Sequence, residues 1–184
     1  MSWQVNGDAQ PLVGQWAVKF LSGGPALPDA VEVSDLRSWT EFGGDAGKAF
    51  SGTASYALVF PQPRGTAPAW RLDLGQVADS ARVRLNGREI AALIQAPFRV
   101  DIPRGQFRPR NTLEVLVTNL AANRIADLDR RDPSWKRFYN INYPARIGNN
   151  RGPDGNFSAA RWTARPSGLL GPVTIVPLAA ADMR

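Results

Sequence analysis

Hydrophobic and polar positions along this chain alternate with a period of two, not with the helical period of about 3.6 residues, which predicts strands with one face on a core. In "QWAVKF" Trp16, Val18 and Phe20 share a face opposite Lys19, and "TASYALVF" repeats the plan with Ala54, Tyr56, Leu58 and Phe60. "AWRLDLG" sets Trp70, Leu72 and Leu74 against Arg71 and Asp73. "ARVRLNGREI" sets Val83 and Leu85 against Arg82 and Arg84, and its Asn86-Gly87 supplies the two positive-φ positions of a tight hairpin turn. The pattern continues in "FRVDIP" through Phe98, Val100 and Ile102, in "NTLEVLVTN" through Leu113, Val115 and Val117, and in "GPVTIVPL" through Val173 and Ile175. These eight or nine short strands, spaced at roughly ten residues and punctuated by Gly and Pro, predict an all-β fold: a jelly-roll β-sandwich, one domain over residues 1–184.

Two stretches break the alternation. "SDLRSWTEF" predicts one short helical turn capped by Ser34 or Asp35. The interval 119–168 is too long for an ordinary connection in a compact domain and reads as a long irregular loop, the kind of segment that carries function or meets a partner.

Composition narrows the chemistry. The chain has no Cys and no His, which excludes a His-based triad, a thiol nucleophile, a disulfide and any zinc or copper site held by those residues. No apolar run approaches the ~20 residues of a membrane span, and "MSWQVNGDAQ" lacks the charged-then-apolar plan of a signal peptide. The expectation is a soluble domain with no membrane contact, belonging to a secreted or periplasmic parent protein. Of the net charge of +6, the interval from Asn119 to Gly168 carries +5, with nine cations against four anions. The rest of the chain is nearly neutral, so the charge belongs to the break in the pattern.

"SGTASY", then "LDLG" with "VRLNG", then "VTNLAANRI", and finally "SGLLGPV" stand in the order and spacing of a known module. In these stretches the chain resembles the galactose-binding-like jelly roll of large glycoside hydrolases. It is most similar to the C-terminal domain of family 106 α-L-rhamnosidases and more distantly to the sugar-binding domain of family 2 enzymes. The resemblance covers Trp16 to Pro177 and implies a non-catalytic accessory module, because the catalytic carboxylates of such enzymes sit on a separate barrel. It further implies that the loop after "VTN" lies at the ligand-facing end of the sandwich, with Asn119, Asn123 and Arg124 at the matching positions. After Ile125 the family pattern of a large apolar residue and Gly-Asp is kept only at Asp127.

Sugar sites lay an aromatic ring under the C–H face and hydrogen-bond the hydroxyls with planar amides, carboxylates or guanidinium groups. The interval interleaves such residues, and the expected glycan contacts are Asn119, Asn123, Arg124, Trp135, Tyr139, Arg151 and Trp162. Its arginines also suit the carboxylate of a uronic acid. The alternative is that these rings fold the loop back over the sandwich or bury against a catalytic domain. Trp16, Trp39 and Trp70 are assigned to the core. No cofactor is expected from the residues: Asp127, Asp129 and Asp132 of "DLDRRDP" offer oxygen ligands that suit calcium but are interrupted by Arg130 and Arg131, while the resemblance allows a structural calcium elsewhere, held by backbone carbonyls. Glu41, Asp45, Asp127, Asp129 and Asp154 do not single out a glycosidase pair. With only three Lys in the chain, the basic segment fits a planar carboxylate better than nucleic acid.

Overall fold

The computed structural model describes residues 2–136 and 146–181. The chain opens with strands β1 (Trp3–Val5), β2 (Gln10–Pro11), β3 (Trp16–Gly24) and β4 (Val31–Val33), followed by helices α1 (Trp39–Phe42) and α2 (Gly44–Ala49). Next come β5 (Ser51–Pro61), β6 (Ala69–Asp73), β7 (Gln76–Ala78), β8 (Ser80–Leu85), β9 (Arg88–Leu93), β10 (Arg99–Pro103) and β11 (Arg110–Thr118). Helix α3 (Ala122–Arg131) precedes the closing strands β12 (Gly168–Gly171) and β13 (Thr174–Ala180).

All the strand pairings are antiparallel. One sheet runs β4-β3-β5-β11-β8-β9 and the other β1-β13-β6-β10, with β2 also on β13, while β12 and β7 form a short ribbon. Residues of alternate register fill the space between the sheets, as period-two patterning requires. Trp16, Val18, Tyr56, Leu58, Val83, Leu113 and Val115 come from the first sheet and Trp70, Leu72, Ile102 and Ile175 from the second, all within one continuous apolar core. Each such side chain contributes roughly 1.5–3 kcal/mol by leaving water. Trp16, Trp39 and Trp70 are all buried in this core, at 0–1% exposure. Trp39 meets Phe20 and Phe50 edge-on, at 5.6 and 5.5 Å between ring centroids. Burial pushes the Tyr56 phenol far above its usual range, an effect the Leu169 backbone only partly offsets.

The β8–β9 hairpin turns on Asn86 (φ 53°) and Gly87 (φ 83°), the twist that matches two right-handed strands. The Asn86 side chain then ties the turn to β11, accepting from Thr112 N–H at 3.0 Å and donating to Asn111 Oδ1 at 3.0 Å.

The short helix forms where the sequence predicts it, but its cap is Ser38, not Ser34 or Asp35. Ser38 Oγ accepts the Thr40 N–H at 3.2 Å and also the Ser167 N–H at 2.9 Å, from a position only 3% exposed. It thus serves a helix start and a distant strand entry together. Ser38→Ala is expected to lower the unfolding free energy by about 2 kcal/mol, the upper end for a lost cap, checked by urea denaturation. Among the described residues no helix is long and apolar enough to cross a membrane.

Candidate functional site

Where β11 ends, the chain leaves the sandwich at Asn119 and rejoins it at Ser167, and side-chain amides hold the two ends together. Asn119 Oδ1 accepts the Gly52 N–H at 2.9 Å, while its Nδ2 donates to the Phe50 carbonyl at 3.1 Å and to Ser167 Oγ at 3.0 Å. Asn123 accepts the Arg165 N–H at 2.8 Å and donates to the Arg165 carbonyl and Ser167 Oγ at 3.0 and 3.2 Å. Ser167 completes the clasp with its backbone, receiving the Trp39 N–H on its carbonyl at 3.0 Å. The segment is therefore a closed excursion from one point of the fold.

Its first part corrects the expectation of an irregular loop. Residues 122–131 form α3, whose buried positions Asn123, Ala126 and Asp129 fall three apart on one face. Asp127 and Arg131 pair one turn apart at 2.9 Å, and Arg130 and Arg131 sit in the last turn, where cations suit the negative end of the helix.

Asp129 organises the rest. Its side chain is fully buried. Oδ1 accepts from the Trp135 indole at 2.8 Å, and Oδ2 accepts from the Ala159 N–H at 2.6 Å and pairs with the Lys136 ammonium at 3.0 Å. A buried carboxylate is tolerated only when charge and lone pairs are both met, and three donors meet them here. Lys136 continues the chain of contacts, donating to the Phe157 carbonyl at 2.7 Å with its ammonium 5.8 Å from the Phe157 ring centroid. Phe157 meets Trp162 edge-on at 5.8 Å, and the Trp162 indole donates to Asn150 Oδ1 at 2.8 Å. Arg130 holds the returning part of the excursion by donating to the carbonyls of Ala160, at 2.8 Å, and Trp162.

The residues expected to contact a glycan are thus distributed over several places. Asn119 and Asn123 are both in the clasp, with their amide donors and carbonyl oxygens spent on the chain itself. Arg124 lies half-buried against Gly24 at the end of β3, so close that a Cβ there would stand 3.1 Å from the guanidinium carbon, and its Nη1 has no hydrogen-bond partner among the described residues. Trp135 and Trp162 are half-buried, their indole N–H groups fixed inward and part of each ring in solvent. Arg151 is exposed and its backbone bridges to Phe157. Tyr139 lies outside the described residues, as do Phe138, Asn140, Asn142 and Tyr143.

The carboxylates do not converge. Asp129 points inward, Asp127 is taken by Arg131, and hydrogen bonds from Ser134 and Asn156 hold Asp132 and Asp154 below the usual carboxylate range. Those two turns keep their bonds at neutral pH and lose them only as acid protonates the groups. In "DLDRRDP" Asp127 and Asp129 lie on α3 and Asp132 just past its end, each with its own partner. Among the described residues no group of three or more acids is placed to hold a metal. Glu41 and Asp45 are exposed on α1 and α2, and Asp45 pairs with Lys48 at 3.1 Å.

Clefts lined by the described residues include a larger and a smaller one. One, of about 460 Å³, lies at the far end of β5 from the excursion, among Pro11, Val13, Phe60, Pro61 and Pro63, and its one ring, Phe60, is buried. The other, of about 110 Å³, sits at the base of the excursion between Asp79, Leu120, Asn123, Arg165 and Ser167.

The antiparallel sandwich resembles the sandwich modules of large glycoside hydrolases, which the chain matches over a small fraction of their length. Comparison with known proteins gives the particular relatives. The chain is 34% identical over 194 aligned residues to a Formosa agariphila protein provisionally named a β-glucuronidase, a match covering 95% of this chain and 16% of that protein. The rhamnosidase of Novosphingobium sp. PP1Y superimposes with a TM-score of 0.66 at 27% identity, over 96% of this chain and 15% of the enzyme. A Ruminococcus gnavus β-glucuronidase shares the fold with a TM-score of 0.55 at 19% identity, over 93% of this chain and 30% of the enzyme. No protein-family model matches the chain. The chain spans about a sixth of the curated relative it matches.

Proposed function

We propose that this chain is a non-catalytic, carbohydrate-binding accessory module of a rhamnosidase-like glycoside hydrolase, with the outer side of the excursion as its recognition face. The observation that carries the reading is that nearly the whole chain matches about 15% of two large glycosidase-related proteins, as one module matches a part of a larger machine. Catalysis is left to the remainder of such a protein, and a secreted or periplasmic setting belongs to the same proposal.

The charge of the excursion supports an acidic glycan. Arg130, Arg131 and Lys136 are paired within it, and Arg146 and Arg161 stand exposed on it. A guanidinium pairs with a uronate in two parallel hydrogen bonds, and an ordered half-exposed indole offers a sugar face at small entropic cost. In this reading Trp135, Trp162 and Arg151 touch the glycan, while Asn119 and Asn123 position the excursion. Arg124 acts from its place against β3.

A second reading, docking of this face onto a catalytic domain, is favoured by the internal saturation of both asparagine amides. Electrophoresis through gels containing rhamnogalacturonan or polygalacturonate separates the two. Retardation that weakens with salt is expected for the glycan reading, with no release of nitrophenol from aryl rhamnosides or glucuronides. Unretarded migration in every gel would leave the docking role, and turnover would overturn both.

A further inference from the structure

The small cleft at the base of the excursion is lined by two opposite charges that form no ion pair among the described residues. Asp79 accepts the Leu120 N–H on Oδ2 at 2.8 Å, and among the described residues its Oδ1 has no hydrogen bond. Arg165 lines the same cleft, exposed, with its backbone fastened to Asn123 and its guanidinium in no salt bridge or hydrogen bond among the described residues. Every other acid in or beside the excursion has a local donor or cation: Asp127 has Arg131, Asp129 has Lys136, Asp132 has Ser134 and Asp154 has Asn156.

The floor is different. Asn123 and Ser167 are 3% and 2% exposed, and their polar atoms are committed to one another and to Arg165. A ligand therefore meets a rigid, saturated base, a free carboxylate oxygen, an arginine and the apolar surface of Leu120, which is 53% exposed at the rim. At roughly 30 Å³ per water in the liquid, a cleft of about 110 Å³ takes three to four waters or one edge of a sugar ring, not a whole monosaccharide.

We infer that this cleft is a subsite for a neutral vicinal diol on a pyranose ring, with Asp79 accepting from one hydroxyl and Arg165 donating to its neighbour. The inference rests on the glycan-binding reading and adds to it a second specificity. The exposed arginines of the excursion favour a uronate carboxylate, whereas Asp79 repels one, so the cleft selects an uncharged residue of the same chain. Leu120 supplies the apolar contact that a deoxy or C–H edge prefers.

Amide-resolved NMR titration of the whole chain tests this with four probes: methyl α-L-rhamnoside, cis-cyclohexane-1,2-diol, cyclohexanol and acetate. Saturable shifts at Ala78, Asp79, Leu120 and Ser167 are expected with the glycoside and the diol and absent with cyclohexanol and acetate. Asp79→Asn keeps the shape and an acceptor for Leu120, and is expected to weaken both ligands at least tenfold; Arg165→Gln, at an exposed side chain, is expected to weaken them roughly fivefold to tenfold. Equal shifts with cyclohexanol, a preference for acetate, or unchanged affinity in both variants would overturn the subsite. The polysaccharide gels read the parent proposal separately. Retardation without cleft shifts sinks only the subsite, and cleft shifts without retardation support the subsite while removing the polymer-binding face.

Discussion

Asp129→Ala is expected to unfasten the excursion while the sandwich stays folded. The substitution removes the acceptor for the Trp135 indole, the Ala159 N–H and the Lys136 ammonium together, and leaves that ammonium, half-buried at 21% side-chain exposure, without its counter-charge. Breaking a buried pair from one side costs about 3–5 kcal/mol. The loss is local because the continuous apolar core contains no described residue between 119 and 167. Hydrogen exchange at Ala159 should therefore accelerate by more than roughly a hundredfold, while amides of β5 and β11 keep their protection. Unchanged exchange at Ala159 would show that the carboxylate does not hold the segment together.

Gly168→Ala is expected to act on the sandwich itself. Gly168 enters β12 at φ +104°, a conformation that side chains with a Cβ rarely adopt. A Cβ at that site would run into the Tyr56 hydroxyl and stand 2.8 Å from the Trp39 ring. Neither neighbour can retreat, since both are at 0% exposure and Trp39 is packed edge-on between Phe20 and Phe50. Backbone strain and overpacking together predict a loss of about 3 kcal/mol or more, read from the urea midpoint with an unchanged slope. A midpoint equal to that of the parent chain contradicts the packing described here.

These two positions also show which parts of the structure are visible in the sequence. Gly168 stands in "SGLLGPV", a motif whose need for a sharp turn is plain, and the strands around it follow from strict alternation. Faces assigned from the pattern, such as Trp16 with Val18 and Phe20, or Leu113 with Val115 and Val117, are the buried faces of the structure. Helix α3 is hidden for a physical reason. Its buried stripe is Asn123, Ala126 and Asp129, whereas Ile125 and Leu128 are only half-buried, so apolar periodicity points to the wrong face. It also starts at Ala121 with no side-chain cap to announce it.

The candidate site divides in the same way. Residue type identifies Asn119 and Asn123 as important, but an amide that could serve a sugar hydroxyl serves a backbone group equally well. Which of these it does depends on whether positions 119 and 167 meet in space, and no local pattern encodes that. Ser167 and Asp79 escape notice for the same reason, each being a single polar residue that bonds groups about forty or more residues away, Ser167 in addition to its local bond to the Arg165 carbonyl. The charge asymmetry, by contrast, needs no contact map, and of the described cations it gathers Arg130, Arg131, Arg146, Arg151, Arg161 and Arg165 are exposed, whereas Arg124 and Lys136 are half-buried.

Isothermal titration of a rhamnose- and uronate-containing oligosaccharide into the chain tests most directly whether the excursion is a recognition face. The account predicts saturable binding that weakens as salt is raised and falls roughly tenfold in Trp162→Ala, whose indole face is the ordered platform. No heat of binding from the parent chain, or an isotherm that Trp162→Ala leaves unchanged, would contradict it.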